Sequence, residues 1–139
     1  LKILIVDDSP TTRSFLKVIL NLESMDLLEA ENGERALLIA QLVTLDLVIA
    51  DVNMPRLDGI GLVQKLRASP ESRLRRLPVV LLTADRSEEL QRRGLEAGAT
   101  AFARKPILPA ELSAIVKGIG KRLALDESLS RTSGRRGPA

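Results

Sequence analysis

Asp7 and Asp8, Asp51, Thr83 and Lys105 are far apart in the chain, yet each ends or directly follows a short apolar run. A carboxylate where a buried strand runs out is unusual, because carboxylates are rarely fully buried unless paired or bound to a metal. Brought together, three carboxylates, a hydroxyl and an ammonium could hold a divalent cation and handle a phosphoryl group. At an effective dielectric of about 20, one like-charge pair at ~4 Å costs roughly 4 kcal/mol, so three carboxylates require a cation. Mg²⁺ suits them, since it keeps several waters and takes few carboxylates together with phosphate oxygens. Asp8 and Asp51 are the expected side-chain ligands, with Asp7 acting mainly through bound water and the Asn53 carbonyl placed as a further ligand. Lys105 offers a point charge for a carboxylate and then for a phosphate. Asp51 is the expected phosphoacceptor.

These residues can meet only if strands carry them to one edge. Apolar runs alternate with helical patterns along the chain: Ile3–Val6, Leu27–Ala30, Leu47–Ala50, Val79–Leu82 and Thr100–Ala103 read as strands. Strands separated by helices are most simply parallel with right-handed crossovers, and near-continuous apolar strands suit a sheet covered on both faces. In such a sheet ligands bind beyond the carboxyl ends of the strands. Ser9-Pro10 starts a first helix running to about Leu22, with Phe15, Val18, Ile19 and Leu22 expected to point inward. Asn32-Gly33 turns the chain into a helix from Glu34. Asp58 caps a helix to about Ala68 that buries Ile60, Leu62, Val63 and Leu66. Ser69–Ser72 reads as a loop, and Arg73, Arg75 and Arg76 as part of a solvated basic stretch. Ser87 caps a helix that Gly98 stops in a left-handed turn. The last helix runs from near Pro109 to about Leu123.

Composition removes several kinds of chemistry. The chain of 139 residues has no cysteine and no histidine. Disulfides, thiolate metal sites, a Ser-His-Asp triad and a phosphohistidine on this chain are excluded, and any metal must use oxygen ligands. The net charge of +3 is mild, and the only aromatics are Phe15 and Phe102, so no base-stacking platform exists and direct nucleic-acid binding is not expected. No apolar run approaches the roughly 20 residues that span a bilayer, so no membrane association is expected. The chain starts at Leu1 rather than Met, which reads as a trimmed start, and Leu1–Leu4 reads as strand rather than signal peptide.

Val6-Asp7-Asp8-Ser9-Pro10, Asp51 with Met54-Pro55 and Asp58-Gly59, Leu82-Thr83-Ala84, and Lys105-Pro106 together resemble the receiver domain of bacterial two-component response regulators, of the chemotaxis-regulator type. The match runs in order over about Lys2 to Leu123. The resemblance implies an α/β flavodoxin-like (βα)5 fold, a doubly wound parallel five-stranded sheet of order 2-1-3-4-5. It implies that Asp51 takes the phosphoryl group, that Asp7 and Asp8 with the Asn53 carbonyl serve Mg²⁺, and that Thr83 hydrogen-bonds and Lys105 ion-pairs with the phosphoryl group. It makes Phe102 the switch aromatic that rotates inward when Thr83 moves, and it suggests a cis Lys105-Pro106 bond. Asn53 and Asp85, two past Asp51 and two past Thr83, flank the water that later attacks the acyl phosphate. The implied partners are a sensor histidine kinase or histidine phosphotransfer protein, and a downstream effector or a missing output domain. A homodimer through the face of helix 4, strand 5 and helix 5 is also compatible with it. Such a protein is cytoplasmic and is a signalling module rather than a turnover enzyme.

Arg104, beside Lys105, stands where an uncharged residue is common in the family, which makes it a determinant of partner choice on that face. Leu108 stands where a polar cap is common. Residues 1–123 are therefore read as the receiver, and 124–139 as a polar C-terminal tail or linker. The alternative from the enzyme class is a Mg²⁺-dependent aspartyl-phosphate phosphatase, but that chemistry wants Asp-x-Asp after the first strand, and here Asn53 stands two past Asp51. A nucleotide or flavin binder would want a Gly-rich phosphate loop where Asp7-Asp8-Ser9-Pro10 stands.

Overall fold

The computed structural model describes residues 1–21 and 25–135, with side chains described through Glu127. Among these, five strands alternate with helices: β1 Lys2–Val6, α1 Pro10–Asn21, β2 Asp26–Ala30, α2 Gly33–Leu42, β3 Leu47–Asp51, α3 Gly59–Arg67, α4 Ser72–Arg75, β4 Val79–Thr83, α5 Glu88–Ala97, β5 Ala101–Arg104 and α6 Pro109–Arg135. The strands form one parallel sheet of order β2-β1-β3-β4-β5. This is the flavodoxin-like arrangement.

The central strands β3 and β4 are buried along their whole length. Their alternate residues Val48, Ala50, Val79 and Leu81 join Leu4 and Val6 in one core cluster with Ala36 and Ala40 of α2 and Ile60, Leu62, Val63 and Leu66 of α3. Helix α1 contacts β1 and β2 but adds no residue to that cluster, so it lies on the opposite face. The expected caps are present. The Asp58 carboxylate accepts the Gly61 N–H at 2.7 Å, the Ser87 hydroxyl accepts that of Leu90 at 3.2 Å, and Gly98 turns left-handed at φ 112°. Asn32 also caps, accepting the Arg35 N–H at 2.8 Å, so α2 opens at Gly33. The Lys105-Pro106 bond is cis.

Three local expectations are corrected. Leu16, Ile19 and Leu20 form the inward face of α1, while Phe15 and Val18 are 48% and 64% exposed. The apolar residues of α1 wrap round more than one face, so periodicity allowed two choices. The realised one sets Arg13 and Lys17 over Glu29 of β2 and leaves Phe15 beside Thr11, Pro106 and Ile107 in an open cleft. Leu22 lies outside the described residues. Next, the stretch after Ser69 contains the short helix α4; Arg75 and Arg76 are exposed as expected, but Arg73 is half-buried, and Arg73 and Arg75 are engaged. Arg73 donates to the carbonyls of Ala40, Gln41 and Val43 at the end of α2, and Arg75 to those of Ser69 and Pro70. A cation at a helix C-terminus meets unpaired carbonyls and the negative end of the dipole. Finally, the last helix does not stop near Leu123.

Residues Leu1–Ile107 form one compact unit, and a second begins at Leu108. The second contains α6, which runs on to Arg135. The stretch from Asp126 is polar, yet helix needs no apolar stripe where good helix formers and solvent suffice. Within α6, a Cβ added at Gly118 would meet nothing within 4 Å. Gly118→Ala is therefore expected to stabilise by about 0.5–1 kcal/mol through reduced unfolded-state entropy, read as a higher denaturant midpoint at unchanged slope. No helix of the described residues is long and apolar enough to cross a membrane.

Candidate functional site

The parallel sheet delivers its strand ends to one edge. Val6 pairs with Ala30 and Ala50, Asp51 with Leu82, and Thr83 with Arg104. The residues at or just past these ends are therefore neighbours in space. Carboxylate oxygens of Asp7, Asp8 and Asp51 all lie within 4.8 Å of one another. Asp7 is 2% exposed, Asp51 8% and Thr83 0%, whereas Asp8 faces solvent.

Every polar atom of Asp7 is engaged. Its N–H donates to the Ala30 carbonyl at 3.1 Å, and its carbonyl accepts from Arg13 at 2.6 Å. Its Oδ1 accepts the Ser9 N–H at 2.9 Å, and its Oδ2 accepts from Lys105 Nζ at 2.7 Å. Lys105 also reaches Asp51 Oδ2 at 3.4 Å. Burial pulls the Lys105 pKa down, but the hydrogen bond it donates to Asp7 and the two carboxylate charges outweigh it, so the pKa is held above its ordinary value. Burial pushes the Asp51 carboxyl up; Lys105 opposes this, the charge of Asp7 adds to it, and the net direction is upward. Asp51 is thus a carboxylate whose ionisation the bare protein resists.

The Thr83 hydroxyl accepts the Asp85 N–H at 3.1 Å and lies 3.4 Å from the Asn53 side-chain amide. The Asn53 N–H approaches Asp51 Oδ1 at 3.4 Å. Asp85 is exposed and accepts the Ser87 N–H at 2.8 Å. Phe102 is on β5, half-buried against the core cluster. Its ring carbons lie 3.1 Å from where a Cβ at Gly94 would stand, so the absent side chain of α5 makes room for the ring. All the sequence-predicted acids, Thr83, Lys105 and Asn53 are gathered at one strand-end edge, and Phe102 lies within β5 packed toward α5.

Three carboxylates against one ammonium leave a charge of 3 − 1 = 2 negative at full ionisation. Asp8 has no protein partner among the described residues. A hard divalent cation with oxygen ligands fits this donor set and its charge. Among the 21 Lys and Arg residues of the sequence, Arg13 is set apart only by standing one turn after the helix start that follows the acidic pair.

The model of the family "Response regulator receiver domain" matches residues 3–117. The chain is 40% identical over 114 residues to the "Gliding motility regulatory protein" of Myxococcus xanthus, covering 82% of this chain and 14% of that protein. It is 38% identical over 132 residues to the "Probable transcriptional regulator ycf27" of Cyanophora paradoxa, covering 95% of this chain and 53% of that protein. The chain thus spans about half of one relative and a small part of the other. Among solved structures it resembles the receiver domain of sensor histidine kinase PA1611 from Pseudomonas aeruginosa, at TM-score 0.78 and 28% identity over 86% of this chain and 97% of that one. That structure has a magnesium ion coordinated in its active site cleft. These matches do not favour the phosphatase alternative.

Proposed function

The chain belongs to the response regulator receiver domain family, and on that premise we propose that it takes a phosphoryl group onto Asp51 with Mg²⁺ at the acidic cluster and switches a partner-binding face in response. The observation that carries this is the ammonium of Lys105 set between Asp7 and Asp51, 2.7 and 3.4 Å away, with Asp8 alongside. The donor is a phosphohistidine on a sensor histidine kinase or a histidine phosphotransfer protein, or a small acyl phosphate. An Asp51 carboxylate oxygen attacks phosphorus, the P–O bond forms, and the P–N bond to the donor imidazole breaks with its electron pair returning to nitrogen. Lys105 stabilises charge on the phosphoryl oxygens, and the Thr83 hydroxyl donates to one of them. Mg²⁺, held by Asp7, Asp8, Asp51 and the Asn53 carbonyl, supplies neutralisation of the crowded carboxylates and of the charge developing on the phosphoryl group.

As Thr83 turns toward the phosphoryl group it leaves its resting contacts, and Phe102 follows it inward. The receiver is taken as residues 1–123, acting in the cytoplasm. Its output passes to an effector protein, to a further domain or to a second copy of the chain. The chain performs self-phosphorylation and self-dephosphorylation only and is not an enzyme of turnover. Adding beryllofluoride with Mg²⁺ is expected to shift the amide resonances of Asp51, Thr83 and Lys105 together; no response from those three would overturn the reading.

Asn53 and Asp85 flank the attacking water's approach, and an amide with an acid at these positions suits quick hydrolysis. The acyl phosphate is expected to persist for seconds to minutes. Phosphate-affinity electrophoresis after removal of the donor checks this, and label retained for many hours would refute it.

A further inference from the structure

Asp8 is the one acid of the cluster that no side chain positions. It is exposed and carries no hydrogen bond or ion pair to protein among the described residues, so the peptide joining it to Asp7 must aim it. That peptide is gripped from outside the cluster. Arg13 Nη1 donates to the Asp7 carbonyl at 2.6 Å, the shortest hydrogen bond to the turn. Arg13 Nε donates to Glu29 Oε1 at 3.1 Å, and Lys17, one helical turn further on, donates to Glu29 Oε2 at 3.1 Å. The hydrogen bond from Lys17, with that from Arg13 and the charges of both, holds the Glu29 carboxyl below its ordinary value against the opposing effect of burial.

The geometry of this brace is specific. Glu29 sits on β2 in register with Ile5, and its neighbour Ala30 accepts the Asp7 N–H at 3.1 Å. The Asp7 residue is therefore tied to β2 directly through its N–H and indirectly through Arg13 and Glu29. Arg13 is only 17% exposed at its side chain, and its fork spends one arm on the carbonyl and another on the carboxylate. A lysine has a single ammonium and cannot hold both in one plane.

We infer that Arg13, braced by Glu29 and Lys17, is a positioning residue that fixes the Asp7–Asp8 peptide and so presents the Asp8 carboxylate for Mg²⁺. The inference rests on the Mg²⁺ site proposed above. Outer partners of metal ligands typically change affinity by about 10–100-fold when removed. Here the grip acts through backbone, so the lower end applies.

The test uses the whole chain, metal-free, with two nuclear magnetic resonance readouts. In the first, Mg²⁺ is titrated against wild type, Arg13→Met, Arg13→Lys and Glu29→Gln. Roughly tenfold weaker binding is expected for Arg13→Met, a smaller loss for Glu29→Gln, and partial recovery in Arg13→Lys relative to Arg13→Met. In the second, amide exchange is followed in EDTA. The Ser9 and Asp8 amides should exchange several-fold faster in Arg13→Met while those of β3 and β4 are unchanged, a local effect that general destabilisation would not give. The double variant Arg13→Met/Glu29→Gln should bind Mg²⁺ no worse than Arg13→Met, because Glu29 acts through Arg13. Mg²⁺ affinity within twofold of wild type in Arg13→Met, or exchange accelerated equally across the sheet, would overturn the inference. If Arg13→Met does not fold, Glu29→Gln decides, with unchanged Mg²⁺ affinity and Ser9 exchange counting against it. Wild type that fails to bind Mg²⁺ at all would instead overturn the site proposal, a result distinguishable from equal binding by wild type and variant.

Discussion

Asp51→Asn is expected to abolish phosphorylation and, at the same time, to make the metal-free protein more stable. Removing a covalent nucleophile costs on the order of 10³-fold or more in rate, so incubation with acetyl phosphate and Mg²⁺ should give no modified species on phosphate-affinity gels. The stability gain has a separate cause. Burial, with the charge of Asp7 added, raises the Asp51 carboxyl despite Lys105. The folded state therefore holds that proton more tightly than the unfolded chain does. Stability from this group is fully present below the ordinary carboxylate pKa and is lost as pH rises through the raised folded value. At neutral pH the ionised acid is a net cost that the neutral amide removes, while Lys105 keeps its 2.7 Å partner Asp7. Denaturant midpoints measured in EDTA across the acidic range should fall with pH more steeply in wild type than in Asp51→Asn. Mg²⁺ should narrow the gap, because it stabilises the ionised wild-type cluster. Modification that survives Asp51→Asn would remove the assignment, and identical pH profiles would remove the electrostatic account.

What could be read in the sequence followed from how local each signal was. Asp7, Asp8, Asp51, Thr83 and Lys105 were legible because each ends an apolar run, and parallel strands carry such ends to one edge whatever the loops do. Asp58, Ser87 and Gly98 were legible because a cap is settled within four residues. The inward face of α1 was not, since Phe15, Leu16, Val18, Ile19 and Leu20 offer two stripes, and the choice depends on Glu29 of β2 meeting Arg13 and Lys17. The same long-range dependence hid Arg73, whose carbonyl partners lie some 30 residues away on α2. The end of α6 was missed for the opposite reason. Polar composition after Leu123 says nothing against helix, only against burial.

Gly59→Ala is expected to damage both stability and phosphorylation, although Gly59 carries no side chain and touches no phosphate. It opens α3 directly after the Asp58 cap, and its N–H donates back to the Val52 carbonyl at 3.0 Å. The β3–α3 loop thus closes on its own start. A Cβ at Gly59 would stand well under 3.0 Å from the Asp51 carbonyl oxygen, and 3.0 Å from both Val52 Cα and a Leu81 methyl. Two of these three neighbours are backbone and cannot rotate away, so relief requires the end of β3 or the first turn of α3 to shift. Overpacking typically costs 1–3 kcal/mol, and with backbone as the obstacle about 3 kcal/mol is expected here, a large share of the 5–15 kcal/mol that holds a domain. The shift also acts on chemistry, because the carbonyl being pushed belongs to the phosphoacceptor itself. Misplacement of a reacting group by about 1 Å can cost as much as 10²-fold, so the folded fraction of Gly59→Ala should phosphorylate markedly more slowly than wild type. Gly118→Ala makes the same chemical change and is expected to stabilise, because its Cβ meets open space. Opposite signs for the two variants in denaturant titrations, with acetyl phosphate rates lowered only in Gly59→Ala, would fix the cause as close backbone approach. An unfolding free energy for Gly59→Ala within about 0.5 kcal/mol of wild type would show that the strand end yields more readily than its hydrogen bonds imply.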